Sequence, residues 1–134
     1  MYLEERLGTL GSGAFSSVVA ISWLGRGEGS SKSCKIAALK VYDREKSRAK
    51  AKQIIAEKEV LTRLQGASGT ISLLETNKDD DNLYFVMEAA LGGSLHKHMN
   101  QAAAGYWTPQ LSLRYCAELL CSLTHMAKHG CVHR

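Results

Sequence analysis

Residues 7–23 read LGTLGSGAFSSVVAISW, and this stretch carries the first indication of the fold. It divides into an apolar segment at residues 7–10, a glycine-rich segment at 11–16 and a β-branched run that includes Val18 and Val19. β-branched residues favour strands, and closely spaced glycines between two such segments are typical of a turn. We therefore predict a strand, a glycine-rich turn and a second strand.

The turn has the pattern Gly11-x-Gly13-x-x-Ser16-x-Val18. On its own, such a pattern more often marks a plain hairpin than a ligand site. A dinucleotide-binding loop needs a helix directly after its glycines, and a Walker loop needs Gly-Lys followed by Ser or Thr. Here a valine-rich strand follows instead. The interpretations left open are a plain hairpin and a flap whose backbone amides contact phosphate oxygens.

Further elements follow along the chain. Residues 35–42 are mostly apolar and predict a buried strand. Residues 47–65 have a helical period and contain no Pro or Gly, so they predict a helix. Two short strands are predicted at 70–76 and 83–88, with a polar turn between them.

Two helices complete the pattern, a short one to about residue 100 and a long one that begins at Thr108 and Pro109 and ends at Gly130. Five strands with one inserted helix, followed by helices, predict an α+β fold in which a sheet lobe precedes the start of a helical lobe.

Lys40 lies in the predicted buried strand, where an unpaired ammonium group is costly. Ile54, Leu61 and Leu64 mark the apolar face of the following helix, and at about 100° per residue Glu57 falls in the middle of that face. The sequence therefore predicts an ion pair between Lys40 and Glu57. The pair either holds the lysine against ATP phosphates or is a structural salt bridge; buried ion pairs are poor stabilisers, which favours the first interpretation.

With these residues in place, the chain resembles the eukaryotic protein kinase family. The segments that carry the resemblance, in order, are LGTLGSGAFSSV, AALK, AEKEVL, LYFVMEAALGGSL and HGCVHR. The resemblance implies a partial kinase domain over residues 1–134. It has a five-stranded antiparallel N-lobe sheet with one helix over about 1–88, a hinge at 89–93, and the first helices of a truncated C-lobe at 94–134, ending inside the catalytic loop.

The resemblance also implies a site for ATP. Lys40, paired with Glu57, would contact the α- and β-phosphates as the catalytic lysine, and Gly11, Gly13 and Ser16 would form the loop over the phosphates. Ser16 replaces the family's third glycine, a tolerated change. The other implied ATP-binding positions are Leu10, Val18 and Ala38 around the adenine, Met87 as the gatekeeper at the back of the pocket, and Glu88 and Ala90 in the hinge.

The segments LGGSL and HGCVHR look more like serine/threonine than tyrosine kinases. The resemblance thus implies phosphoryl transfer from ATP, with Mg²⁺, to a protein substrate. The sequence stops at Arg134, before the Asp of the His-Arg-Asp motif, and the family's metal ligands lie further on. We therefore expect the 134 residues alone to be inactive and to hold no metal. A truncated pseudokinase-like binding or decoy module, and the product of a mis-assembled gene model, stay open as alternatives.

Composition and charge argue against several other classes of protein. The net charge of +4 is mild, and the basic run at residues 44–52 has no interleaved aromatic residues, which is typical of a solvated face rather than a nucleic-acid site. We expect no membrane span, because no apolar run approaches the required length. Four cysteines without a Cys-x-x-Cys pair and a polar N-terminus predict an intracellular protein, in the cytosol or the nucleus, and we favour the cytoplasm.

Overall fold

A computed structural model describes residues 3–25, 33–101 and 107–133 of the chain. Its sheet has five antiparallel strands: β1 (Leu3–Ser12), β2 (Ser16–Gly25), β3 (Ser33–Asp43), β4 (Leu73–Lys78) and β5 (Asn82–Glu88). The strand order in the sheet is β1-β2-β3-β5-β4. The helices are α1 (Ala51–Arg63), α2 (Leu95–Gln101) and α3 (Pro109–Lys128). The predicted α+β fold, with one helix inserted in an antiparallel sheet and further helices after it, is confirmed.

Two of the differences from the predicted element boundaries have a clear local cause. The helix predicted from residue 47 begins as a single 3-10 turn at Arg48–Lys50, because Ser47 is buried and bonds back to the carbonyl of Asp43. The strand predicted from residue 70 begins three residues later. The Thr70 hydroxyl donates to the Ala67 carbonyl, at 2.9 Å, and so continues the turn that ends α1.

The sheet buries a different apolar cluster on each face, since successive side chains of a strand point to opposite faces. One cluster contains Val19, Ile21, Ala37, Leu39 and Val86, of which Ile21, Ala37 and Val86 are fully buried. These five residues come from β2, β3 and β5, which are neighbours in the sheet. Burial of large aliphatic side chains in this cluster is the main favourable contribution to the stability of the sheet.

The second cluster joins α1 to the opposite face of the sheet. It consists of Ile54 on α1 with Tyr42 on β3 and Phe85 on β5, and the two aromatic rings meet edge to face with their centroids 5.3 Å apart. Leu61 of α1 packs against it. The apolar face predicted for this helix is therefore the face that contacts the sheet, and this contact sets which way Glu57 points.

Side-chain caps fix the starts of the two later helices. The Ser94 hydroxyl accepts a hydrogen bond from the Lys97 amide at 3.2 Å, and the Thr108 hydroxyl accepts one from the Leu111 amide at 3.2 Å. Gly130 ends α3 with a φ of +66°, which favours glycine. No helix among the described residues is long and apolar enough to cross a membrane.

The loop after α1 contacts α3 at one close point. Gly69 in this loop has a φ of +79°, and a Cβ atom there would lie 1.9 Å from the Ser122 hydroxyl oxygen. That hydroxyl donates to the Glu118 carbonyl within α3, at 2.8 Å. A side chain at residue 69 would therefore require the Ser122 hydroxyl to move. Elsewhere α3 is largely exposed, including the apolar residues Leu119 and Leu123.

Candidate functional site

Strand pairing places four of the predicted site residues on one face of the sheet. Lys40 on β3 is opposite Val18 on β2 and Phe85 on β5, and Ala38 is opposite Met87 on β5. Residues that are directly opposite each other share a face, and so do residues two apart along a strand. Val18, Ala38, Lys40 and Met87 therefore lie on the same face of the sheet, which is also the face against which α1 packs.

Lys40 and Glu57 form the predicted ion pair. Lys40 Nζ lies 2.7 Å from Glu57 Oε1, and the two side chains are 22% and 36% exposed. The strand holds the lysine and the helix holds the glutamate, so the pair depends on the packing between α1 and the sheet. A partly exposed pair in direct contact directs the ammonium group and leaves it accessible to a further anionic group.

Tyr42 is a second partner of Glu57 that the sequence prediction missed. Its hydroxyl donates to Glu57 Oε2 at 2.6 Å, and its ring lies with its centroid 5.0 Å from Lys40 Nζ. Burial raises the pKa of Tyr42 above its ordinary value, and the bond to Glu57 raises that pKa further. The alternation of side chains along a strand could have indicated this contact, because residues 40 and 42 lie on the same face.

The glycine loop joins β1 to β2. The Gly13 amide donates to the Ser16 carbonyl at 2.8 Å, which closes the turn, and Gly11 is opposite Val18 in the strand pair. A Cβ atom at Gly11 would meet no atom within 4 Å, and one at Gly13 would make only an ordinary contact at 3.7 Å. Neither glycine is among the described glycines with positive φ. Packing among the residues that the structure describes therefore does not account for glycine at these two positions.

The remaining predicted positions lie at the ends of strands. Leu10 is exposed near the end of β1, and Ala90 is exposed just after β5. The Glu88 amide donates to the Ser72 carbonyl at 2.9 Å, and Glu88 Oε2 accepts from the Ser72 amide at 3.4 Å. These bonds fix the backbone direction where β5 leaves the sheet.

A cavity of about 350 Å³ lies between the glycine loop and α1. Residues from the loop, β3 and α1 line it, including the side chains of the Tyr42–Glu57 hydrogen bond. The lining residues are Gly13, Ala14, Phe15, Ser16, Tyr42, Ser47, Lys50, Gln53, Ile54 and Glu57.

The residues present fit a triphosphate nucleotide. An ammonium group fixed beside a glycine loop suits phosphate oxygens. Magnesium needs carboxylate and other oxygen ligands, and the described parts of the chain contain no group of three or more His, Cys, Asp or Glu that could hold a metal ion.

Comparison with known proteins gives a consistent result. The family model for the protein kinase domain matches residues 5–134. Among curated proteins, the chain is 32% identical to the serine/threonine-protein kinase ppk21 of Schizosaccharomyces pombe over 93% of this chain and 21% of that protein. It is 30% identical to the MAP kinase-interacting serine/threonine-protein kinase mnk-1 of Caenorhabditis elegans, over 93% of this chain and 16% of that protein.

A third relative, the serine/threonine-protein kinase ksg1 of Schizosaccharomyces pombe, is 32% identical over 93% of this chain and 20% of its own length. The chain thus spans about a fifth of the length of these relatives or less.

Proposed function

The chain belongs to the protein kinase family, and from this premise we propose that it is the ATP-binding part of a serine/threonine protein kinase. In the complete enzyme, the γ-phosphoryl group of ATP is transferred to a hydroxyl group of a protein. The observation that carries the proposal is the 2.7 Å ion pair between Lys40 on β3 and Glu57 on α1. The serine/threonine assignment is supported by the three relatives named above, each of which is a serine/threonine-protein kinase.

The proposed roles follow from the shared face of the sheet. Lys40 binds the α- and β-phosphates, and Glu57 keeps its ammonium in place. Val18 and Ala38 enclose the adenine, with Leu10 at the rim and Met87 at the back of the pocket. In the hinge, Glu88 contributes its carbonyl and Ala90 its amide to the adenine edge. The Glu88 amide is already bonded to Ser72, which is consistent with a role for the carbonyl rather than the amide.

The glycine loop supports the same proposal. Gly11 and Gly13 are needed neither by a positive φ nor by a close contact with the rest of the described chain. A ligand that lies against the backbone of the loop would explain the two glycines, because a side chain at either position would hold phosphate oxygens away from the amides. We infer that this loop covers the phosphates, with Ser16 at its far end.

We further propose that the 134 residues by themselves do not transfer phosphate. The His-Arg-Asp aspartate and the magnesium ligands that the family's chemistry requires are not among them. The proposed division is an N-lobe over about residues 1–88, a hinge at 89–93 and the start of a C-lobe at 94–134. An intracellular location of the protein, in the cytoplasm, is likewise a proposal.

The test uses the native protein, isolated from its own cells with an antibody against residues 25–34. Its intact mass is measured, and it is incubated with γ-labelled ATP, magnesium and a mixture of generic protein substrates. We expect a mass well above 14.6 kDa and label on serine or threonine. A native mass of 14.6 kDa without transfer would instead favour a binding or decoy role, and label on tyrosine alone would contradict the serine/threonine assignment.

A further inference from the structure

Both oxygens of the Glu57 carboxylate are bonded to groups on the same strand. Oε1 accepts from Lys40 Nζ at 2.7 Å and Oε2 accepts from the Tyr42 hydroxyl at 2.6 Å. The second distance is typical of a short, charge-assisted O–H···O⁻ bond. Because Lys40 and Tyr42 are two residues apart in β3, they present their donors side by side to one carboxylate.

The two donors differ in how firmly they are held. Tyr42 is 5% exposed, and its ring is fixed by an edge-to-face contact with Phe85 and by packing with Ile54. The Lys40 side chain is long, flexible and more exposed, at 22%. A half-exposed ion pair to such a side chain contributes little on its own. The phenol is therefore the more rigid of the two attachments between α1 and β3.

We propose that Tyr42 is a positioning residue that keeps the Glu57 carboxylate turned toward Lys40 before a nucleotide binds. This inference rests on the proposed function, in which Lys40 binds ATP phosphates. When phosphate oxygens attract the Lys40 ammonium group, the hydrogen bond from Tyr42 still holds the Glu57 carboxylate in place. Tyr42 acts through Glu57 and does not itself contact the nucleotide.

The first test examines the ligand-free chain by NMR. Tyr42→Phe keeps the packed ring and removes only the hydroxyl. The matched control is Tyr84→Phe, because the Tyr84 hydroxyl donates to a different carboxylate, Asp79 Oδ2, at the same 2.6 Å. The readout is the side-chain carboxyl ¹³C resonance of Glu57, assigned by its loss in Glu57→Gln. We expect this resonance to move in Tyr42→Phe and to stay in place in Tyr84→Phe. An unchanged resonance in Tyr42→Phe would overturn the proposal.

The second test measures the affinity for a fluorescent ATP analogue. We expect Tyr42→Phe to weaken binding about threefold to tenfold, the effect of losing one modest hydrogen bond. In a Glu57→Gln background the same change should have less than about a twofold effect, because the residue through which Tyr42 acts is already altered. An equal loss in both backgrounds, or an equal loss in Tyr84→Phe, would contradict a role through Glu57.

The two tests separate this inference from the proposed function. A wild-type chain that does not bind the analogue would contradict the function, while the Glu57 resonance would still decide the role of Tyr42. A third measurement needs no change at Tyr42. Its hydroxyl proton should exchange slowly and resonate downfield in the wild type but not in Glu57→Gln. Absence of this proton signal from the wild type would also overturn the proposal.

Discussion

Lys40 Nζ and Glu57 Oε1 lie 2.7 Å apart, and this contact joins the central strand of the sheet to its only packed helix within the described chain. Lys40→Met removes the ammonium group and keeps a side chain of similar length. We expect it to weaken binding of an ATP analogue by about tenfold or more, equivalent to about 1.4 kcal/mol. The measurement is a fluorescence titration.

The matched control for that variant is Lys35→Met, since Lys35 is an exposed lysine on the same strand. It should bind the analogue as the wild type does. Equal affinity of Lys40→Met and Lys35→Met would mean that the lysine of the ion pair does not contact the ligand.

Glu57→Gln tests the helix side of the ion pair. The amide keeps the shape of the side chain but loses the charge, so we expect the free energy of unfolding to fall by about 0.5–1.5 kcal/mol in urea denaturation. Glu59→Gln, on the exposed side of the same helix, should change it by less than about 0.5 kcal/mol. Similar losses of stability in the two variants would show that the contact of Glu57 with Lys40 and Tyr42 does not stabilise the fold.

Gly69→Ala tests the contact between the loop after α1 and helix α3. Gly66→Ala is the matched control, because Gly66 has nearly the same φ, +77°, but a Cβ there would meet nothing within 4 Å. Both variants should lose about 1–2 kcal/mol of stability from the left-handed backbone. Gly69→Ala should lose a further 1–3 kcal/mol, roughly the cost of overpacking.

The additional loss in Gly69→Ala arises because the Ser122 hydroxyl must leave its position on the Glu118 carbonyl. Adding Ser122→Ala to Gly69→Ala should therefore restore part of the lost stability. Equal losses in the two glycine variants, measured by urea denaturation, would show that the loop does not hold α3.

Leu39→Ala tests the apolar cluster on the far face of the sheet. Leu39 is 1% exposed on β3, so its truncation should lower the free energy of unfolding by about 2–5 kcal/mol. Ile36→Ala on the same strand, where the residue is 53% exposed, should cost less than about 1 kcal/mol. If the two variants unfold at the same urea concentration, the assignment of faces along β3 is wrong.

The Asp79 carboxylate in the hairpin between β4 and β5 is expected to contribute stability at neutral pH that is lost at acid pH. The hydrogen bond from the Tyr84 hydroxyl holds the pKa of Asp79 below its ordinary value, with further lowering by the Asn82 and Asp81 amides. A lowered folded-state pKa contributes stability above the unfolded value of about 4. That stability is lost as the pH falls through the folded-state pKa.

Urea midpoints measured between pH 6 and pH 2 should therefore fall less steeply on the acid side in Asp79→Asn and in Tyr84→Phe than in the wild type. The same acid slope in all three proteins would contradict this account of the hairpin.

Local periodicity accounts for what the sequence predicted correctly. The β-branched runs marked the strands, and the apolar stripe of α1 placed Glu57 on the face that meets Lys40. Thr108 and Gly130 marked the ends of α3 because their capping roles depend on the residue itself and its immediate neighbours.

The missed features depend on contacts that sequence position does not reveal. Tyr42 looks like an ordinary strand residue, and only the packing of α1 brings its hydroxyl to Glu57. Gly69 lies 53 positions before Ser122 in the chain, so no local pattern indicates their contact. The later start of β4 comes from a single hydroxyl, that of Thr70, which competes with the strand for the backbone.

We propose that one face of the sheet, with the glycine loop above it, binds ATP. The most direct test of this proposal is a titration of the ¹⁵N-labelled 134-residue chain with a non-hydrolysable ATP analogue, followed residue by residue through the amide resonances. We expect changes concentrated in residues 10–18, at Ala38 and Lys40, and in residues 87–90. No change at saturating analogue, or changes confined to other parts of the chain, would contradict it.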